Sequence, residues 1–319
     1  MMNGYSESPT NNGDDTPQGI SAILHALELI HSPTSDNDIR REATEFLNQQ
    51  KDADGAYRPG FHLAADSGRA PIVRHFGLSL IEHTIRLKWH DLADDQTTQV
   101  RGWTLELAHN VSEVDPPYIR NKVAQLWVEL AKKSWAVDWL DMDQVLLALW
   151  GKNLTSKELV LTILENLSED TFTREDSAAA LRGQELNTAL VEIFTPAAQF
   201  AGGLMVGKTS VPLRANDEGW LARVVELIQE SVSNASTRQV RVCLTKALAT
   251  LRSVFSWMML SAVVSTHALP AICVSLPVQD TDVLMVSTWP VSKTSSFRIW
   301  LTITGRSPSA SRSVRPLPF

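Results

Sequence analysis

Apolar residues recur at three- and four-residue spacing along most of this chain, in segments that begin and end at recognisable helix signals. The clearest such stretch runs from Asp115 to Trp150. Asp115 in a capping position, with Pro116 and Pro117 in the first turn where a missing N–H costs nothing, predicts a helix start. Ile119, Val123, Leu126, Trp127 and Leu130 then share one face, and Arg120, Lys122, Gln125, Glu129, Lys132 and Lys133 share the other. The first face is expected to be buried and the second wet. A corner at Ala136 to Leu140, flanked by Trp135 and Trp139, leads to a second helix from Met142 to Trp150, capped by Asp141 and stopped by Gly151.

The same plan extends in both directions. Helices are predicted from about Ile20 to His31 (Ile23, Leu24, Leu27 and Ile30 inside) and from Asp36 towards Gly55 (Ile39, Ala43, Phe46 and Leu47 inside). A short, poor helix over Tyr57 to Gly68 precedes a long one from Pro71 to Lys88, with Val73, Phe76, Leu80, Thr84 and Leu87 as its stripe, and another from Asp95 to Val111. Beyond the tryptophan-rich pair come a helix from Thr155 to Leu167, an acidic polar linker at 168–179, and a helix around Leu186 to Phe194. A glycine-rich break at 202–209 is followed by Glu218 to Val232, capped by Asp217, and a helix through Trp257, capped by Ser236.

Counted as pairs, these helices repeat about every 40 residues without a fixed sequence signature, and no strand pattern interrupts them. The expected fold is all-α: an α-solenoid of HEAT-type antiparallel helix pairs in which each pair packs on its neighbours. The single-core alternative would need several helices apolar all round, and most here carry a polar face. Residues 1–18 read as a disordered lead-in and 19–282 as the repeat arch. From Val283 the character changes: the remainder has no acidic residue and is rich in Ser and Arg. Residues 283–319 are expected to lie outside the repeat, as a disordered basic tail or as the product of a misread gene.

Composition narrows the function. A formal net charge of -7 and a pI near 5.6 argue against an isolated nucleic-acid module. Two cysteines, Cys243 and Cys273, leave no disulfide framework and no paired ligands for zinc. No run of about 18 apolar residues suggests a membrane span, and the polar first residues lack the order of a signal peptide.

Little in the chain suggests catalysis. Gly202 to Thr209, GGLMVGKT, fits the phosphate-loop pattern GxxxxGK[ST], in which backbone N–H groups wrap phosphates and Lys208 and Thr209 would meet phosphate and magnesium. That pattern has meaning only between a strand and a helix. Here Pro196 and a helical stripe precede it and Val211-Pro212 follow, so an inter-repeat loop is the expectation. The eight histidines show no HExxH, and no GxSxG or activated cysteine occurs. Neither metal nor cofactor is expected, and the chain reads as a binding scaffold and not an enzyme.

Three segments carry a family resemblance. RHFGLSLIEHTIRLKW (Arg74 to Trp89), IRNKVAQLWVELAKKSWAVDWLDMDQVLLALW (Ile119 to Trp150) and RVCLTKALATLRSVFSW (Arg241 to Trp257) together resemble the N-terminal region of the exportin-5 branch of the karyopherin-β, or importin-β, superfamily. The resemblance implies a nucleocytoplasmic transport receptor that shuttles between nucleus and cytoplasm. It further implies that the receptor binds the small GTPase Ran in its GTP form, meets nuclear pore proteins, and carries protein cargo or structured RNA. Family members are several times longer, so the chain would hold the Ran-gripping front of the arch. With the second helix of each pair lining the concave face, the candidate partner-binding residues are Arg40, Arg41, Arg74, His75, Glu82, Arg120 and Lys122. A generic HEAT scaffold without Ran dependence is the alternative.

Overall fold

The computed structural model describes residues 16–173, 177–200, 204–206, 209–234 and 236–258, and the backbone of three short strands beyond them. Four helix pairs come first: α1 (Pro17–His31) with α2 (Asn37–Asp52), α3 (Tyr57–Ala65) with α4 (Pro71–Leu87), α5 (Asp94–His109) with α6 (Pro117–Ser134), and α7 (Met142–Trp150) with α8 (Leu154–Phe172). Then come α9 (Ser177–Leu181), α10 (Gly183–Phe194), a hairpin of β1 (Leu204–Val206) and β2 (Thr209–Val211), and a last described pair, α11 (Gly219–Ser233) with α12 (Arg238–Phe255). The second helices α2, α4, α6, α8 and α12 pack side by side in that order, and we call this row the inner helices. This is the all-α solenoid that the 40-residue rhythm predicts, with α9, α10 and the hairpin inserted between its fourth and fifth pairs.

Local chemistry explains the helix ends. Thr16 accepts the N–H of Gly19 at 3.2 Å, Asn153 that of Ser156 at 2.9 Å and Thr237 that of Val240 at 3.3 Å, each side chain satisfying a donor that the first turn leaves unpaired. Two expected caps sit one residue away, and two others make no cap bond. Asn216, not Asp217, takes the N–H groups of Glu218 and Gly219, and Thr237 replaces Ser236. Asp115 does not cap α6; its carboxylate is held by the Ser112 N–H at 2.8 Å and by Arg74. Asp141 stands at the start of α7 with no side-chain cap bond.

One core runs from Tyr57 to Val254 through the stack, and a smaller cluster of Ile23, Leu27, Ala43, Leu47, Phe76 and Leu80 seals the first pair onto the second. α3 and α4 pack backbone against backbone where Gly60 faces Gly77. The tryptophan corner is internal architecture. The Ser134 carbonyl accepts the N–H groups of Val137, Asp138 and Trp139, all at 3.1 Å, and Ala136 turns the chain with φ 66°. Trp135 and Trp139 are buried, with Trp139 tilted against Trp127 at 5.2 Å. Arg182 donates to the carbonyls of Lys132 and Trp135, and Arg101 to that of Asp138.

Four other expectations are corrected. The polar face of α6 is not wet: Glu129 and Lys132 are buried there, because α4 and α8 flank it. The polar stretch from 168 is not a linker, since α8 continues to Phe172 with Asp170 buried; residues 174–176 lie outside those described. Ile39 and Leu87, placed inside by their spacing, are exposed, Leu87 at 69%. Strands also do interrupt the repeat. Thr209 pairs with Val206 in the hairpin and starts no helix, so the phosphate-loop geometry is absent there; Gly202, Gly203, Gly207 and Lys208 lie outside the described residues. The expected lead-in lies outside them up to residue 15. In the segment from 283, only strand backbone is described, as β4 (Asp282–Ser287) pairing antiparallel with β3 (Val274–Ser275) and β5 (Trp300–Gly305).

Candidate functional site

Four of the predicted partner-binding residues, Arg74, Glu82, Arg120 and Lys122, lie on the inner helices α4 and α6 and are already engaged in ion pairs. On α4, Glu82 accepts from Lys122 of α6 across 40 residues of sequence. Arg74, also on α4, pairs with Asp115 across 41 residues and donates through Nε to the Ala64 carbonyl at 3.2 Å. One helix further, Arg120 of α6 donates to the Asp115 carbonyl and to Glu158 of α8 at 3.2 Å, a separation of 38. Each of these side chains is no more than 19% exposed. They form cross-braces between successive repeats.

Residues that sequence reasoning missed complete the ladder. Lys132, fully buried, reaches Glu129 at 2.9 Å and Asp170 of α8 at 3.0 Å, again 38 residues away. Lys246 of α12 reaches Glu165 of α8 at 3.0 Å. At the other end, His83 of α4 meets Asp52 of α2 at 2.9 Å, and Lys88 meets Asp54 at 3.0 Å. Buried ions are tolerated only when paired, so α8 can bury Glu158, Glu165 and Asp170 because each has a cation from a neighbouring helix. For the joints of α6 with α4 and α8 the sequence signal was opposite charge at separations of 38 to 41 residues, one repeat apart, whereas Lys246 and Glu165 lie 81 residues apart across the inserted α9, α10 and hairpin.

The remaining candidates differ. His75 lies beside Tyr118 in an edge-on contact at 5.7 Å. Burial, and then the nearby charge of Lys122, holds its imidazole below the usual histidine range, which favours the neutral ring. Arg40 and Arg41 sit apart from the ladder on α2. Arg40 folds back to the Ser32 carbonyl at 2.8 Å, and Arg41 stays in solvent, 65% exposed, beside Asp38 and Glu45. Arg41 is thus the most accessible of the charged candidates, while Arg74, Glu82, Arg120 and Lys122 meet at the α4–α6–α8 joints.

The Cys243 thiol is buried on α12, donates to the Leu154 carbonyl at 3.3 Å, and is pushed up to about 12 by that burial, so it is no nucleophile. Among the described residues no group of three His, Cys, Asp or Glu side chains could hold a metal ion, and no helix is long and apolar enough to cross a membrane.

Comparison with known proteins agrees with this architecture. Residues 116–201, from the start of α6 past the end of α10, match the family model of exportin 1-like proteins. The chain is 30% identical over 272 residues to Protein MSN5 of Saccharomyces cerevisiae, which covers 81% of the chain and 22% of that protein. It is 28% identical over 155 residues to mouse Exportin-5, 47% of the chain and 13% of that protein, and 23% identical over 182 residues to Protein HASTY 1 of Arabidopsis thaliana. The chain therefore spans less than a quarter of the length of these relatives.

Proposed function

We propose that this chain, which belongs to the exportin-5 branch of the importin-β superfamily, forms the front of a nuclear export receptor and that its inner-helix row receives Ran in the GTP form. The observation that carries the reading is a coincidence of place. The exportin-like match begins at α6, and α6 carries Arg120 and Lys122, which brace it to Glu158 of α8 and to Glu82 of α4, the helix that also holds Arg74 and His75 just before the match. In this reading Arg41, with Arg40 behind it, meets the partner directly. Arg74, Glu82, Arg120 and Lys122 act mainly by fixing the spacing of the helices that present the contact face. Coupling to the nucleotide state needs no catalysis by the receptor: a scaffold that binds the ordered switch loops of the GTP form more tightly than the GDP form is driven by that difference alone. Cargo, whether protein or structured RNA, and nuclear pore proteins would engage the complete receptor as it shuttles between nucleus and cytoplasm.

The test is a pull-down of the purified chain with Ran loaded with GTP or with GDP. Preferential retention of the GTP form is expected. Equal retention of both forms, or of neither, removes the transport reading and leaves a helical scaffold without nucleotide preference.

A further inference from the structure

Arg40 of α2 does not follow the pattern of the braced cations. It is half-buried and makes no ion pair among the described residues. Its Nη2 donates to the Ser32 carbonyl at 2.8 Å, and its Nε, on the same edge of the planar guanidinium, is buried with no acceptor. That edge is the one with which arginine grips an oxyanion through two parallel N–H bonds. The carboxylates at the start of the same helix are turned elsewhere: Asp36 accepts the Asp38 N–H at 3.2 Å, and Asp38 pairs with Arg41 at 2.9 Å. A half-buried cation with half of its gripping edge unused favours an anion on the residue that it already touches.

That residue is Ser32, which closes α1 in an extended conformation (φ -69°, ψ 129°) and is followed by Pro33. Its Oγ accepts the Thr34 N–H at 3.3 Å and lies 2.8 Å from the Thr34 hydroxyl. A group built on that oxygen therefore meets the amide and hydroxyl of Thr34 and the guanidinium of Arg40. A serine or threonine before a proline is the pattern that proline-directed protein kinases accept, and it occurs here at Ser8, Thr16, Ser32, Thr195 and Ser307. Thr195 is buried, and Thr16 already spends its hydroxyl on the Gly19 N–H, with Pro17 inside the first turn of α1. Ser8 and Ser307 lie outside the described residues. Ser32 stands in the turn between α1 and α2 with an arginine beside it.

We propose that Ser32 is a phosphorylation site for a proline-directed protein kinase and that Arg40 holds the phosphate. The γ-phosphoryl group of ATP passes to the Ser32 Oγ: the bond from that phosphorus to the ADP oxygen breaks, the Oγ–P bond forms, and the hydroxyl proton leaves to the kinase's base. The phosphate, carrying a charge of about -1.5 to -2 at neutral pH, stands at the C-terminal end of α1, where the helix dipole disfavours an anion. Arg40 opposes that cost by closing its Nε–Nη2 edge on two phosphate oxygens, so Arg40 decides the sign of the effect on the first helix pair. The proposal is independent of Ran binding.

The test incubates the full chain with a purified proline-directed kinase and ATP and locates the modified residues by peptide mass spectrometry. Phosphate on Ser32 is expected, and its absence there, whatever other residues are modified, overturns the proposal. Melting temperatures then report the clamp, each chain being compared with its own Ser32→Ala counterpart treated in the same way, which removes the effect of phosphate elsewhere. Phosphorylation should leave the original chain unchanged or raise its melting temperature, and should lower that of Arg40→Gln by about 2–4 °C. A drop in the original chain, or the same shift with and without Arg40, overturns the proposal. Phosphorus NMR gives a second reading that needs no Arg40 variant. The resonance missing from Ser32→Ala should titrate below the value of about 6 for a free phosphoserine, and titration at that value or above overturns the clamp.

Discussion

Adding one methyl group to Gly77 should destabilise this chain, although the same change in a free helix would be favourable. Gly77 lies inside α4 where that helix crosses α3. A Cβ built there would sit 2.5 Å from the Gly60 carbonyl oxygen, 2.8 Å from the Ala64 nitrogen and 2.8 Å from Leu63 Cβ. Contacts of that kind relax at about 3.5–4.0 Å, so the helices must part by about 1 Å. Two of the three obstacles are backbone atoms, which no rotamer change moves. Separation on that scale forfeits a quarter to a half of the dispersion well for the atoms that line the joint, and Leu63, Leu80 and Ile81 are fully buried around it. Overpacking typically costs about 1–3 kcal/mol, and a backbone obstacle puts this site at or above the upper end. Alanine returns about 1 kcal/mol of helix propensity, leaving a net loss of about 2 kcal/mol or more. Gly102, inside α5, supplies the control, since a Cβ there meets nothing within 4 Å. Gly102→Ala should therefore stabilise by about 0.5–1 kcal/mol. Urea titrations followed by far-UV circular dichroism would give both numbers, and a Gly77→Ala midpoint equal to or above that of the original chain would refute the close-approach argument.

Three further outcomes follow from the buried charges. Lys132→Met leaves Glu129 and Asp170 without their shared cation, and a loss of about 3–5 kcal/mol is expected in the same urea assay. Burial holds the Asp143 carboxyl above its ordinary 3.8 in the folded chain, against the bonds from the Ala215 N–H and the Trp220 indole. The folded form therefore keeps a proton that the unfolded form has released, and stability should fall as pH rises from 3.8 through the folded value. Asp143→Asn should flatten that fall in a pH series of melts, at a cost of about 1–3 kcal/mol for the donor it can no longer satisfy. Asp115 has the opposite sign: burial alone would raise its carboxyl, but the bonds from Arg74 and Ser112 hold it below 3.8. Its contribution should be fully present above 3.8 and disappear as pH falls through the folded value, and Arg74→Gln should remove most of that acid sensitivity.

The helices were legible because burial imposes a period, and the period survives in the sequence of almost every one. The environment of the charges was not. Lys122 turns towards α4 and Arg120 and Lys132 towards α8, and their spacing along α6 is the same whether those sides meet water or meet matched ions on the neighbouring helices. Asp115 is an acceptable cap by type and position, and only the approach of Arg74 from α4 decides that its carboxylate is spent elsewhere. Glu169 and Asp170 made the end of α8 look like a linker for the same reason, since Lys132 lies 38 residues earlier. The hairpin at 204–211 escaped because a three-residue apolar strand carries too little periodicity to separate from a loop.

The braces also change what a binding residue can mean in this fold. A partner that draws Lys122 or Arg120 to itself must first part it from Glu82 or Glu158, and the carboxylate left behind is largely buried. Removing one member of such a pair is costly, so the partner gains little from a direct contact there unless it supplies a carboxylate of its own. An exposed arginine such as Arg41 carries no such penalty, since its present partners are solvent-screened. The cost at the inner joints therefore divides the seven candidates by role. In the proposed reading, residues at the joints hold the spacing of one repeat to the next, and Arg41, exposed beyond them, is the candidate for direct contact with the partner.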